Sequence, residues 1–360
     1  MEIGIVGFAS AGKTTIFNLL TGAGAATGGG KPDEAHIGVV KVPDVRLHVL
    51  YEHFKVPKEV PVEMSVVDFA PFQRGDEKKK EMAPRLLAQM RTCDALIAVV
   101  RAFEDPVVVH PEGTVMPQRD VENLFLEFTF ADLEVIERRL DRIDESLKKG
   151  KREERPALLR EQPLMERFKG ILESSGILRE TGLSVEEEMM IGGFGFLTRK
   201  PVMVVLNTGE ENIKNPPVYE FPEKLQKVRI VEMCGKIELE LEGFAEGEKM
   251  EFMKEMGIGE AGWERILRAL AEVTDVVSFF TVGKSEVRAW LVRRGSNAVV
   301  AAGKVHTDMA KGFIRAEVVS FDDFQHFGGM HGVKEHGRFR LESKEYIVQD
   351  GDIITFRFHV

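Results

Sequence analysis

Eight residues near the start of the chain, Gly7-Phe8-Ala9-Ser10-Ala11-Gly12-Lys13-Thr14, constrain its fold more than any other feature. They follow the apolar run 3–6, which reads as a buried strand, and precede 15–20, which reads as a helix. The pattern G-x-x-x-x-G-K-[ST] between a strand and a helix is that of a phosphate-binding loop. Its glycines let backbone N–H groups turn inward around a polyphosphate, and the helix N-terminus adds its positive dipole end. Ser10, Ala11, Gly12, Lys13, Thr14 and Thr15 are therefore expected around the phosphates of a nucleotide. Lys13 is expected to act on the β- and γ-phosphates, and the Thr14 hydroxyl to ligate Mg²⁺.

Strand signals at 37–42, 62–67 and 95–100 follow, with a helical stretch at 80–91. Alternating strands and helices predict an α/β domain with a mainly parallel sheet covered on both faces. The apolar run 202–206 resumes that pattern after a long gap, so the interval reads as an insertion. Within it Leu133, Ile136, Leu140, Ile143 and Leu147 recur at 3-4-3-4 spacing, a heptad pattern. Lys148-Lys149-Gly150-Lys151-Arg152 breaks it as a basic turn, and Leu158, Met165, Phe168 and Leu172 fit a return helix. Pro163 is expected to bend or interrupt that helix. Residues 121–199 thus read as an antiparallel helical hairpin whose basic tip is suited to touch phosphate. Residues 236–276 are acidic and helical in pattern. Strands at 287–292, 316–320 and 353–358 then mark a small α+β domain. The expected division is a P-loop domain at 1–120 and 200–277, the hairpin at 121–199, and a terminal domain at 278–360.

Asp68 ends the second long strand, where a P-loop NTPase carries its Mg²⁺-side aspartate. In GTPases this residue opens D-x-x-G, whose glycine N–H touches the γ-phosphate. Here the segment is Asp68-Phe69-Ala70-Pro71, and proline has no N–H to donate. Phe72 stands where Ras-like enzymes place a water-orienting glutamine, and Gln73 lies one residue beyond. Asn207-Thr208-Gly209-Glu210 follows the 202–206 strand in the slot of the guanine-reading N-K-x-D. Glu210 is one methylene longer than the aspartate of that motif, so ATP is expected to bind at least as well as GTP. Met233-Cys234-Gly235 is expected to line the base pocket through backbone groups. His110, in the loop 103–110, is the candidate for positioning the attacking water.

The net charge of −10 argues against a general attraction to nucleic acid, DNA included, and leaves room for a local basic patch. No apolar run approaches the roughly 18 residues of a membrane span. Cys93 and Cys234 lie far apart with no metal-ligand spacing, which fits a reducing, cytoplasmic setting. The chain opens on a strand, and no leader segment is expected.

With these residues on the page, the chain resembles the YchF family, the Obg-like ATPases, over essentially its full length. The resemblance is carried by Phe279-Phe280-Thr281, Glu286-Val287-Arg288-Ala289-Trp290, His306-Thr307-Asp308 and Lys311-Gly312-Phe313-Ile314-Arg315-Ala316-Glu317-Val318. Tyr346-Ile347-Val348-Gln349-Asp350-Gly351-Asp352, Phe103-Glu104-Asp105 and Ala131-Asp132-Leu133-Glu134 add to it. It implies a Ras-like P-loop NTPase domain with an inserted α-helical, coiled-coil hairpin and a C-terminal TGS domain of β-grasp fold. It further implies relaxed or ATP-preferring nucleotide use and a ribosome or ribosomal RNA as partner. A hydrophobic residue replaces the catalytic glutamine in the family, matched by Phe72, and the family's proposed catalytic histidine matches His110.

Departures cluster around the phosphates. Ser10 stands where the family has an Asn that helps bind potassium, and Pro71 replaces the D-x-x-G glycine. Arg74-Gly75-Asp76-Glu77-Lys78-Lys79-Lys80 replaces a Gly-rich switch. The stretch 22–33 holds Gly28-Gly29-Gly30, with Thr27 as a candidate Mg²⁺ contact. A divergent member that binds nucleotide and hydrolyses it slowly is the expectation, with a nucleotide-binding scaffold of little turnover as the alternative.

Overall fold

A computed structural model describes residues 1–24, 36–72, 84–149 and 153–359, the Glu246 side chain excepted. Thr27, Gly28-Gly29-Gly30, Gln73, residues 74–80, Lys151 and Arg152 lie outside the described residues. The chain divides into two compact units, Met1–Gly38 with Ser65–Ala269 and Val39–Met64 with Leu270–Val360.

The first six-stranded sheet has the order β2-β4-β1-β5-β6-β7. These strands are β1 (Glu2–Val6), β2 (His36–Val42), β4 (Val62–Asp68), β5 (Ala95–Ala102), β6 (Val202–Thr208) and β7 (Arg229–Met233). β3 (Lys58–Val60) belongs to the other sheet. β1 pairs in parallel with β4 and β5, β5 with β6, and β6 with β7. β5 and β6 are buried at every position, because helices cover both faces of a parallel sheet and leave no polar side. The loop after β1 leads into α1 (Lys13–Thr21). α2 (Val45–Phe54) lies in the second unit, and α3 (Pro84–Thr92) precedes β5.

Between β5 and β6 the chain forms α4 (Pro117–Lys149) and α5 (Arg155–Glu173), then α6 (Val185–Ile191). The heptad positions meet the return helix as expected. Ile136 and Ile143 are fully buried with Met165, Phe168 and Leu172, and Leu133, Leu140 and Leu147 pack against them. Arg139 clamps Glu161 across the two helices through two N–H···O bonds of 2.6 and 2.7 Å. The expected break at Pro163 does not occur, because α5 runs through it. Pro163 is exposed, so the carbonyl that loses its partner can bind water, while buried Leu164 and Met165 keep the register.

After β7 come α7 (Gly235–Leu241), α8 (Glu246–Met256) and α9 (Gly262–Thr274). The second sheet has the order β11-β10-β12-β8-β9-β3. Its strands are β8 (Val276–Val282), β9 (Glu286–Arg293), β10 (Phe313–Ser320), β11 (Arg340–Glu342) and β12 (Asp352–Phe358), with β3 on its edge. α10 (Ala298–Val305) places Ala298, Ala301 and Ala302 on a core with Phe279, Val292, Val318 and Ile354. Alanines let the helix lie close to the sheet. Within this unit β3 pairs in parallel with β9, and Arg46 on α2 reaches Asp350 at 2.7 Å.

Candidate nucleotide site

Hydrophobic continuity carries β1 to Val6, and glycine chemistry then turns the chain. Gly7 has φ 151°, and a Cβ there would lie 2.2 Å from the Val99 carbonyl oxygen on β5. Gly12 has φ 92°, and a Cβ would lie 2.2 Å from Asn207 Nδ2. Both positions need glycine for conformation and for space. Lys13 opens α1 and folds back so that its Nζ donates to the Phe8 carbonyl at 3.2 Å. Lys13 is only 7% exposed, and burial brings its pKa down to about 8 against the opposing pull of Asp68. A buried, under-compensated cation beside inward-turned backbone is the electrostatic complement of a polyphosphate.

The Thr14 hydroxyl donates to Asp68 Oδ2 at 2.7 Å, which joins the first turn of α1 to the end of β4. Asp68 is 5% exposed, and among the described residues its buried Oδ1 has no hydrogen-bond partner. A hydroxyl and a carboxylate oxygen are hard donors, and the unpartnered Oδ1 leaves acceptor capacity, so the set fits a magnesium ion. His36, the first residue of β2, adds its Nδ1 at 3.6 Å from Asp68 Oδ2. Nothing in the sequence pointed to His36, because its approach depends on strand pairing across the sheet.

Asn207, on β6, braces the loop from the far side. Its Nδ2 donates to the Ala11 carbonyl at 3.1 Å and its Oδ1 accepts from the Gly235 amide at 3.0 Å. The expected slot residue thus spans the phosphate loop and the 233–235 turn, with one Nδ2 hydrogen left over. Thr208 is buried at the end of β6. Met233 ends β7 buried, and Cys234 leads into α7 with its thiol pushed up by burial. A Cβ at Gly235 would lie 3.0 Å from Thr15 Cγ2. Glu210 is tied to Lys236 at 2.6 Å on a half-exposed rim, a partner the sequence did not single out.

His110 is not free in this structure. Its Nε2 lies 3.0 Å from Asp120 Oδ2, and its Nδ1 accepts the Glu112 amide at 3.1 Å, which puts the ring proton on Nε2. Arg101 closes the preceding loop by donating to the carbonyls of Phe103 and Val108 at 3.0 and 2.9 Å. Lys13, Thr14, Asp68, Asn207 and Gly235 therefore form one connected cluster, whereas the recorded partners of His110 belong to its own loop and to α4.

A strand, a glycine-turned loop and a helix at the centre of a parallel sheet define a P-loop NTPase domain. Residues 2–129 match the family described as 50S ribosome-binding GTPase. Residues 276–359 match the YchF GTPase C-terminal family, described as a protein of unknown function (DUF933). The ribosome-binding ATPase YchF of Haemophilus influenzae is 40% identical over 365 residues, covering 100% of this chain and 99% of the relative. That of Bacillus subtilis is 36% identical over 368 residues, covering 100% of both. Obg-like ATPase 1 of Gallus gallus is 32% identical over 374 residues, covering 100% of this chain and 92% of the relative. The solved structure of the Schizosaccharomyces pombe YchF GTPase is 28% identical and superposes with a TM-score of 0.84 over 99% of this chain and 97% of that one. The chain belongs to the YchF/Obg-like ATPase family. It is a nucleotide-binding P-loop NTPase with the inserted hairpin and β-grasp C-terminal domain of that family. Ser10 stands in the left-handed region, φ 60°, which side chains other than glycine rarely adopt.

Proposed function

We propose that the chain hydrolyses purine nucleoside triphosphates slowly while associated with ribosomes, in the cytoplasm, and takes ATP at least as readily as GTP. The observation that carries this is the cluster of buried Lys13, half-buried Thr14 and buried Asp68, whose Oδ1 has no partner among the described residues. Lys13 and the amides of residues 10–15 would hold the phosphates, and Thr14 and Asp68 would hold Mg²⁺. That ion, when bound, neutralises charge developing on the β- and γ-phosphate oxygens. Catalysis is then mostly positioning and electrostatic stabilisation, with slow turnover for want of a residue-72 glutamine. His110 is the water-positioning group, and it reaches substrate once its loop releases from Arg101 and Asp120. Thr208, Met233, Cys234 and Gly235 enclose the base. Glu210, paired to Lys236, is a poor acceptor for guanine N1–H.

Calorimetric titration with Mg²⁺ and non-cleavable ATP and GTP analogues tests occupancy and base choice together. ATP affinity equal to or above that for GTP is expected, and a tenfold guanine preference would reject this assignment of Glu210. A second function, a scaffold that binds nucleotide without turnover, is favoured by Pro71. Hydrolysis that stays at background with and without ribosomes would select it.

The names of the relatives support ribosome association, and the hairpin end supplies a basic contact. Lys148 and Lys149 close α4, and Lys151 and Arg152 follow in sequence. Reversing all four charges is expected to reduce ribosome co-sedimentation about tenfold or more at low salt, because each lost phosphate contact also lowers counterion release. Unchanged pelleting would remove the tip from the interface. No described helix is long and apolar enough to cross a membrane.

A further inference from the structure

We propose that this chain holds nucleoside di- and triphosphates with nearly equal affinity, because the turn after Asp68 is stitched to the phosphate loop and has lost its γ-phosphate contact. The inference rests on the phosphate loop being the nucleotide site and adds how that site treats the third phosphate.

β4 runs in register with β1 as far as the Ile5–Asp68 pair. The pairing then continues beyond the strand. The Phe69 amide donates to the Ile5 carbonyl at 3.1 Å, and the Phe72 amide donates to the Gly7 carbonyl at 3.2 Å. Phe8, inside the phosphate loop, forms a parallel bridge with Phe72, and their rings meet edge to face at 5.9 Å. Phe8 and Phe72 are each 5% exposed, and Phe69 is buried as well. Pro71 has no N–H at all. Three of the four residues from 69 to 72 therefore have no amide to offer a phosphate: two are committed to β1 and the loop, and one lacks the group.

Swinging this turn toward a γ-phosphate would strip two ladder-like hydrogen bonds and expose packed rings, and it would still bring a proline to the contact position. A hydrogen bond to a charged phosphate oxygen is worth about ten- to hundredfold in affinity, and that increment is what the chain forgoes. Lys13 and the loop amides reach the β-phosphate in either nucleotide, so most of the binding energy is common to both. A ligand that contacts one arrangement no better than another cannot shift the turn.

The test measures Mg²⁺-ADP and a Mg²⁺-bound, non-cleavable ATP analogue on the full chain by calorimetry. Dissociation constants within about threefold of each other are expected for the unmodified protein, and a tenfold or greater preference for the triphosphate overturns the proposal. The double variant Pro71→Gly/Phe72→Ala restores the residue-71 amide and removes the ring packing that holds the turn against the loop, and its triphosphate preference is expected to rise about tenfold or more. An unchanged ratio in that variant, folded by circular dichroism, overturns it too. Amide hydrogen exchange on the unmodified chain needs no variant: protection at Phe69 and Phe72 is expected to be the same with either nucleotide. Deprotection of Phe72 with the triphosphate analogue alone contradicts the stitch. Failure to bind either nucleotide counts instead against the phosphate-loop reading on which the inference stands.

Discussion

Lys13→Ala is expected to lower nucleotide affinity by at least a hundredfold. The ammonium is buried, and the β-phosphate of a bound nucleotide supplies the anionic partners that the apo loop replaces with a single carbonyl, that of Phe8. Two charge-assisted contacts to β-phosphate oxygens, of about 1.5–3 kcal/mol each, account for a loss of that size. The same substitution is expected to leave the apo protein as stable or more stable. Burial lowers the Lys13 pKa from 10.5 to about 8, so below that pH folding carries the cost of a desolvated charge. That cost fades as pH rises from about 8 to 10.5, where the folded form has released a proton that the unfolded form still holds. Calorimetry and thermal melting of the variant at pH 7 check both halves. Affinity within threefold of the unmodified chain would remove Lys13 from the phosphate site. His110→Ala serves as the contrast, expected to keep nucleotide affinity while losing turnover.

Asp132→Ala is expected to destabilise the first unit by about 3–5 kcal/mol, the cost of removing one partner of a buried ion pair. Asp132 is fully buried on α4, and its carboxylate accepts the amides of Leu197 and Thr198 at 3.0 and 2.8 Å. It also accepts the Thr198 hydroxyl at 2.8 Å and Arg91 Nη1 at 2.8 Å. Arg91 in turn donates to the carbonyls of Ala131 and Gly195 at 3.0 and 3.1 Å. One carboxylate thus fastens α3, the base of the inserted hairpin and the chain entering β6. Losing it takes the carboxylate from a half-buried guanidinium and leaves two amides and a hydroxyl without their acceptor. Denaturant unfolding followed by helical signal reads the effect, and a change under 1 kcal/mol would show the cluster to be replaceable.

Features whose letters sit close together were legible in the sequence. The phosphate loop, the heptad positions 133–147 and the apolar runs that became β1, β5 and β6 each encode their structure locally. Pro163 does not interrupt α5, because a proline's effect depends on whether the orphaned carbonyl faces water, which a single residue cannot tell. The site was legible in its loop and less so in its supports. That Asn207 reaches Ala11 and Gly235, or that His36 approaches Asp68, follows from sheet pairing between distant segments. The sequence expects His110 to be available for catalysis. Its burial against Asp120 depends on where α4 begins, and Arg101 closes the loop from a strand that reads as plain core. Nor does a three-residue run such as Lys58-Glu59-Val60 announce that its partner is Glu286-Val287-Arg288.

That last pairing has a consequence for synthesis. Lys58–Val60 is translated about 230 residues before the strand it joins, and at ordinary elongation rates it waits roughly 10–50 s. Through that interval it is an unclaimed edge, open to any neighbouring nascent chain. Its lysine and glutamate, and its brevity, are the kind of deterrent that keeps such an edge from aggregating before its mate emerges.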